Sequence, residues 1–208
     1  IGSIVAAQEN KNLPETATGP EIPYPKGYLV EEINDDLFWV TDGLYNAIFL
    51  VYRDGVVMVD APPTIGKNLL LAVQEVTPKP ITHLVYTHAH TDHIGAAELF
   101  PKGIEIIAQE ETKKILETRN DKRRPVPTLT FENQYELELG DQLLKLDYHG
   151  KNHMDGNIFV YAPKQKVLML VDIIFPGWVP FKNLGIAEDV PAYMAAHDIA
   201  LDYGFETF

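Results

Sequence analysis

The sequence predicts an α/β layered domain with mixed sheets, and three observations carry that prediction. Short apolar runs bounded by turn residues recur along most of the chain, as strands do. Helical stretches are interposed between runs of strands instead of alternating one for one, which argues against a simple doubly wound sheet. At 208 residues, with 46% hydrophobic and 23% charged side chains, the chain has the size and composition of one globular domain with a sizeable core.

The elements follow in order. Residues 1–27 read as a loose arm. Its first stretch, Ile1-Gly2-Ser3-Ile4-Val5-Ala6-Ala7 running into Gln8-Glu9-Asn10, looks like the tail of a signal peptide or its cleavage region, with an arbitrary chain boundary as the alternative. The rest of the arm is proline-rich and aperiodic. From residue 28 to 208 the chain reads as a single domain. Four strands open it, Tyr28–Ile33, Leu37–Val40, Ala47–Tyr52 and Val56–Val59. The turn stretches Asn34-Asp35-Asp36, Thr41-Asp42-Gly43 and Arg53-Asp54-Gly55 between them make the pattern of a meander. A helix is predicted over Ile65–Val76, with Leu69, Leu70, Val73 and Val76 on one face. Thr82–Thr87 reads as a buried strand, followed by a short helix beginning near Ile94. Further strands are expected at Ile104–Ile107, Leu129–Phe131, Tyr135–Leu139, Leu143–Tyr148, Asn157–Tyr161 and Val167–Val171, with a polar helix at Glu110–Arg119. The segment Asp189 to Phe208 shows helical spacing of Val190, Tyr193, Met194, Ile199 and Leu201, with no strand after it.

Composition removes several function classes. The net charge of −13 repels phosphate backbones and anionic lipid, so neither nucleic acid nor a membrane surface is an expected partner. No apolar run approaches the roughly 20 residues of a membrane span. With no cysteine there is no disulfide, no thiolate metal site and no Cys nucleophile, so any metal site must use His and carboxylate.

The strongest local signal is Thr87-His88-Ala89-His90-Thr91-Asp92-His93-Ile94-Gly95, at the end of a predicted strand. A shuffled chain of this composition would contain H-x-H-x-D-H about 5 times in 10,000. Imidazole and carboxylate suit zinc, and also iron or manganese. A loop leaving a strand can aim alternate residues to either side, which permits two metals. His153, in the turn-rich segment His149–Asn157, and Asp172, just past the apolar run Val167–Val171, become expected ligands once that cluster is given. Asp60, at the end of Val56–Val59, is read as orienting the His loop, with a purely structural capping role as the alternative. Tyr45 falls in the turn Leu44-Tyr45-Asn46 and is read as a turn residue, with a place overhanging the site as the alternative. His83 and His149 are read as packing or supporting residues, and His197 as an ordinary helix residue.

These residues resemble the metallo-β-lactamase superfamily of binuclear metal hydrolases over roughly Tyr28 to Asp172. Its H-x-H-x-D-H motif matches His88, His90, Asp92 and His93, its Gly-x-x-His segment matches Gly150–His153, and its strand-end Asp matches Asp172, 19 residues after His153. The resemblance implies an αβ/βα four-layer sandwich with the site at one edge, between the sheets. It implies a first metal held by His88, His90 and His153, and a second held by Asp92 and His93, with Asp172 bridging. The family supplies a further His after a later strand, and no matching motif follows here. The resemblance thus implies a domain lacking its C-terminal strand and that ligand, with exposed apolar helix surface and self-association as consequences. Cysteine-bearing zinc β-lactamases have Cys at the place of Asp172 and a carboxylate-binding Lys at that of Phe175, which weakens a β-lactam assignment.

The activity expected is that of a zinc-dependent hydrolase with two Zn2+ sites. A metal-bridging hydroxide, oriented by Asp92, would attack the carbonyl of a small lactam, lactone, ester or thioester. Phe175 and Trp178, in the aromatic and proline-rich run 173–181, are candidate walls of a substrate pocket, a hydrophobic cover being the alternative. Two other readings stay open: a mononuclear iron oxygenase of the same superfamily using His88, His153 and Asp172, and an inactive metal-binding domain. The expected location is periplasmic or secreted, otherwise cytoplasmic.

Overall fold

A computed structural model describes residues 17–180 and 182–208 of the chain. The signal-like stretch Ile1–Asn10 lies outside the described residues, as does the arm up to residue 16. Residues 17–27 contribute no strand, and a turn at 24–26 leads into the domain.

Eleven strands form two sheets among the described residues. The first contains β1 (Leu29–Asn34), β2 (Leu37–Thr41), β3 (Asn46–Tyr52), β4 (Gly55–Val59), β5 (Ile81–Val85), β6 (Glu105–Gln109) and β7 (Leu129–Phe131), in that spatial order. The second contains β8 (Gln134–Leu139), β9 (Gln142–Asp147), β10 (Phe159–Ala162) and β11 (Val167–Met169), ordered β11-β10-β9-β8. β1 to β4 pair antiparallel, the expected meander. β4 to β7 pair parallel, which requires crossovers between them. Those crossovers supply α1 (Asn68–Val76), the single turn α2 (Thr91–Ile94) and α3 (Glu110–Arg119), while α4 (Lys182–Ile186) and α5 (Val190–Leu201) follow the second sheet.

Side-chain alternation along the strands builds three apolar clusters and so four layers. Val56 and Met58 of β4 face α1 and α3, together with Phe49, Leu84, Leu69, Val73 and Leu116. The intervening Val57 and Val59 face the second sheet, meeting Leu144, Leu146 and Val160. The outer face of that sheet, Phe159 and Leu168, packs on Tyr193, Ala196 and Ala200 of α5. The fold is thus the expected αβ/βα sandwich. No helix among the described residues is long and apolar enough to cross a membrane.

Several elements differ from expectation for identifiable reasons. α1 starts at Asn68 and not Ile65, because Gly66 has positive φ (56°) and closes a turn first. It ends where Thr77 turns extended ahead of Pro78. The helix expected near Ile94 begins at Thr91, so Asp92 and His93 already lie on a helical turn. In α5 the buried face is Tyr193, Ala196 and Ala200, while Val190, Met194 and Leu201 are exposed. Small Ala side chains let the helix approach the sheet closely, and apolar spacing alone does not distinguish the two faces. After α5 the chain turns back toward the second sheet, where Thr207 makes an isolated parallel bridge to Val167 of β11.

Candidate metal centre

The site forms where strands of both sheets end. β4 and β5 run parallel, so Asp60 and Thr87 leave the same edge of the first sheet. β9 and β11 are both antiparallel to β10, so the loop carrying His153 and the segment carrying Asp172 leave the second sheet on one side. A hydrogen bond from Ile158 N to Thr87 O (3.0 Å) ties the two edges together.

Asp60 supports the His loop from below. It is fully buried, in the left-handed region (φ 65°), and accepts from Thr87 N (2.8 Å) and Thr87 Oγ1 (2.7 Å). Because the Thr87 hydroxyl donates to Asp60, its oxygen is left to accept from His88 Nδ1 (3.1 Å). His93 Nδ1 lies 3.3 Å from Asp60 Oδ2. Both rings therefore carry a proton on Nδ1, and Nε2 is the atom each offers to the site. Arg124, also buried, donates from Nη1 to Ala89 O (2.6 Å) and from Nε to Asp121 (3.0 Å), holding the loop from the other side. On the second sheet, the backbone N–H groups of Glu188 and Asp189 donate to the carbonyls of Asn152 and His153, pinning the His153 loop.

Two donor groups result. His88, His90, His153 and Asp172 form one, and Asp92, His93 and Asp172 the other; within each, the ligand atoms lie within 4.8 Å of one another. His90 Nδ1 is 3.0 Å from both His88 Nε2 and His153 Nε2. Asp172 Oδ2 lies 3.1 Å from His153 Nε2, 3.5 Å from His88 Nε2 and 3.0 Å from His93 Nε2. Asp172 stands in the left-handed region (φ 61°), which turns its carboxylate back over the sheet edge.

This donor set fits divalent cations. A tetrahedral ion with bonds of about 2.0–2.1 Å separates its ligands by roughly 3.3 Å, close to the nitrogen spacing here. One ring nitrogen cannot hydrogen-bond well to two others that both face it, whereas a cation would satisfy all three lone pairs. His93 Nε2 is buried and has no hydrogen-bond partner among the described residues, although Asp172 is beside it. The site residues would hold one ion among the three imidazoles and a second beside Asp92 and His93, with Asp172 between them.

Electrostatics are polarised across the two groups. Burial holds His88 well below its usual pKa, and the neighbouring His93 adds to that. Burial and His153 lower His90 as well. For His93 burial works in the same direction, but the carboxylates of Asp172 and Asp60 outweigh it and raise the ring to about 10. For Asp172 burial opposes ionisation, and the imidazoles of His153 and His93 overcome it, keeping the carboxyl far below the usual range. Tyr45 is pushed up to about 12, by burial and then by Asp92, to which its hydroxyl donates (2.9 Å).

The structure thus brings His88, His90, Asp92, His93, His153 and Asp172 together, with Asp60 behind them. Phe175 is half-buried, its ring 4.0 Å from where a Cβ on Gly185 would stand. Trp178 is 56% exposed, and its indole N–H donates to Ala17 O (3.1 Å), so the arm lies against this run. His197 bonds within α5 to Tyr193 O, His149 to Tyr203 Oη, and His83 to Thr82 Oγ1; none of the three is in a donor group. Sequence reading misses Thr87 and Arg124, and for Tyr45 it prefers a plain turn role over the place above the site that its bond to Asp92 shows. Thr87 adjoins the motif and could be suspected from that alone, whereas Tyr45 and Arg124 reach the site from distant turns.

Comparisons with known proteins bear on the family and the fold. The family model described as the metallo-beta-lactamase superfamily matches residues 40–202. The subunit alpha of a 2,4-dinitroanisole O-demethylase from Nocardioides sp. (strain JS1661) is 25% identical over 196 residues, 86% of this chain and 60% of that protein. The metallo-beta-lactamase type 2 of Elizabethkingia meningoseptica is 30% identical over 180 residues, 81% of this chain and 69% of that protein. The chain therefore spans about 60–69% of the length of these two relatives. Among solved structures, a metallo-beta-lactamase from Pontibacter korlensis superposes with a TM-score of 0.71 at 22% identity, covering 85% of this chain and 86% of that one, a likeness of fold. A fold with four layers, a His/Asp cluster at its sheet edge and a family match across most of its length together place this chain in the metallo-beta-lactamase superfamily.

Proposed function

We propose that this chain is a zinc-dependent hydrolase that uses two metal ions to cleave a small lactam, lactone, ester or thioester. The observation that carries this reading is the pair of adjoining donor groups sharing Asp172. When bound there, divalent cations supply Lewis acidity toward a carbonyl oxygen and make water acidic enough to ionise near neutral pH. The chain's own residues do the rest. His88, His90 and His153 turn ring nitrogens toward one another, His88 from a fully buried ring whose tautomer Thr87 fixes. Asp92, whose side chain is 49% exposed, is the carboxylate of the site that meets solvent, and it orients the attacking water and takes its proton. The run containing Phe175 and Trp178 forms one wall for an apolar or cyclic small molecule, the partner we propose.

The alternative is a mononuclear oxygenase using His88, His153 and Asp172. It gains support from the first relative, whose name denotes removal of a methyl group from an aryl ether and not cleavage of a carbonyl compound. The test is turnover by zinc-loaded and, separately, iron-loaded protein in air and under anaerobic conditions of a chromogenic β-lactam, an aryl lactone, a thioester and 2,4-dinitroanisole, each with and without chelator. Chelator-sensitive hydrolysis of any of the first three supports the proposal. Turnover that requires iron and oxygen, or release of dinitrophenolate alone, would replace it.

A further inference from the structure

We infer that Tyr45 is a positioning residue for the second metal: its hydroxyl fixes the orientation of Asp92, so that the ion held by Asp92, His93 and Asp172 depends on a phenol from a distant hairpin. The inference rests on the two-metal reading above and goes beyond it.

The ligands differ in how they are held. His88 and His93 are locked by buried partners, Thr87 and Asp60. Asp92 is the exposed member of the donor groups, and its side chain accepts one hydrogen bond from the described residues, that of Tyr45 Oη to Oδ2 at 2.9 Å. A half-exposed carboxylate with two free torsions would otherwise swing into water.

Tyr45 is well placed for the task because its backbone is rigid. It sits on the turn between β2 and β3, where Thr41 Oγ1 donates to Tyr45 O (2.8 Å) and accepts from Gly43 N (2.9 Å). Asp42 Oδ1 accepts from Leu44 N (2.9 Å) and Tyr45 N (2.8 Å), an Asx-type closure. Gly43 supplies the left-handed conformation (φ 86°) that this closure needs. The Tyr45 ring also packs edge-on against His93, centroids 5.6 Å apart at 78°, so one side chain braces two ligands of the same ion. Nothing comparable reaches from Tyr45 to His88, His90 or His153 among the described contacts, and the effect is therefore confined to one of the two ions.

Tyr45→Phe keeps the ring against His93 and deletes only the hydroxyl. Partners of metal ligands typically change affinity about 10–100-fold when removed. Zinc binding by the metal-free chain is followed by competition with a chromophoric chelator and by elemental analysis, with Leu44→Ala as a control in the same turn. The expected result is two zinc ions per parent chain. Y45F should then hold the first ion unchanged and the second about 10–100-fold more weakly, and L44A should match the parent. Equal affinities in Y45F and parent, or equal weakening of both ions, would overturn the role of Tyr45 while leaving the two-metal reading intact. A parent chain that takes up a single ion under all conditions would overturn both.

Discussion

Exchanging Asp60 for Asn changes one atom at the centre of the His-loop support and preserves the side chain's shape. Asn tolerates the left-handed backbone found there (φ 65°), so strain does not confuse the result. Three donors now face Asp60: Thr87 N, Thr87 Oγ1 and His93 Nδ1. Asn can still accept from Thr87 N through its carbonyl, but its NH2 group then meets the Thr87 hydroxyl and the His93 ring. Thr87 can accept from that amide only by turning its own proton toward His88 Nδ1, and His93 can accept only by giving up its Nδ1 proton. Both moves place the remaining proton on Nε2, the atom offered to the site. A hydrogen bond to a charged group contributes about 1.5–3 kcal/mol against about 0.5–1.5 for a neutral one, so weakening two or three of them costs about 2–3 kcal/mol of stability without metal. Each affected ion should also bind about 10–100-fold more weakly, since both rings present the wrong tautomer. Urea unfolding of metal-free protein measures the first effect and chelator competition the second. Zinc affinity within about twofold of the parent for both ions would refute the tautomer argument.

The remaining predictions concern pH, loop support and packing. His93, raised to about 10 from an ordinary 6.5, carries a proton at pH 7 that an incoming cation must displace. Asp172 stays ionised throughout, so affinity at the second donor group should climb by up to about tenfold per pH unit between about pH 6 and 8, and a flat titration would contradict the charge on His93. Arg124→Ala leaves the Ala89 carbonyl and Asp121 without their buried guanidinium; unfolding should show a loss of about 2–3 kcal/mol together with weaker binding of the first ion, and a loss below about 0.5 kcal/mol would remove Arg124 from the support of the loop. Gly156→Ala adds a Cβ 2.5 Å from Thr112 Oγ1 and 2.7 Å from Thr112 N at φ 84°, whereas Gly140→Ala has a similar φ (72°) in open space. The second should cost about 1–2 kcal/mol from backbone strain alone and the first clearly more, and equal losses would mean that the His153 loop yields without effort.

Much of the fold is readable from the chain because strand alternation and turn residues are local signals. The predicted bounds of β7 and α3 coincide with the observed ones, and those of the β1 to β4 meander agree within a residue or two. The metal motif is readable for the same reason: His88, His90, Asp92 and His93 lie within six residues, so their chemistry shows without any long-range knowledge. The exposed face of α5 is not, because Val190, Met194 and Leu201 have apolar spacing while the contact with the sheet is made by Tyr193, Ala196 and Ala200. Hydrophobicity identifies a helix but does not identify the face that its partner's shape can accept.

By itself, then, the sequence determined the layered α/β class, the acidic surface and the kind of ligand available, since each follows from composition or from neighbours along the chain. Tertiary structure alone decided how those ligands are aimed. Asp60 meets Thr87 across 27 residues, Arg124 reaches Ala89 across 35, Tyr45 reaches Asp92 across 47 and His153 meets His90 across 63. A tautomer and a carboxylate rotamer are set by contacts between segments far apart in the chain along the edge of the first sheet, and the 3.0 Å approach of His153 to His90 exists only once the two sheets have packed face to face.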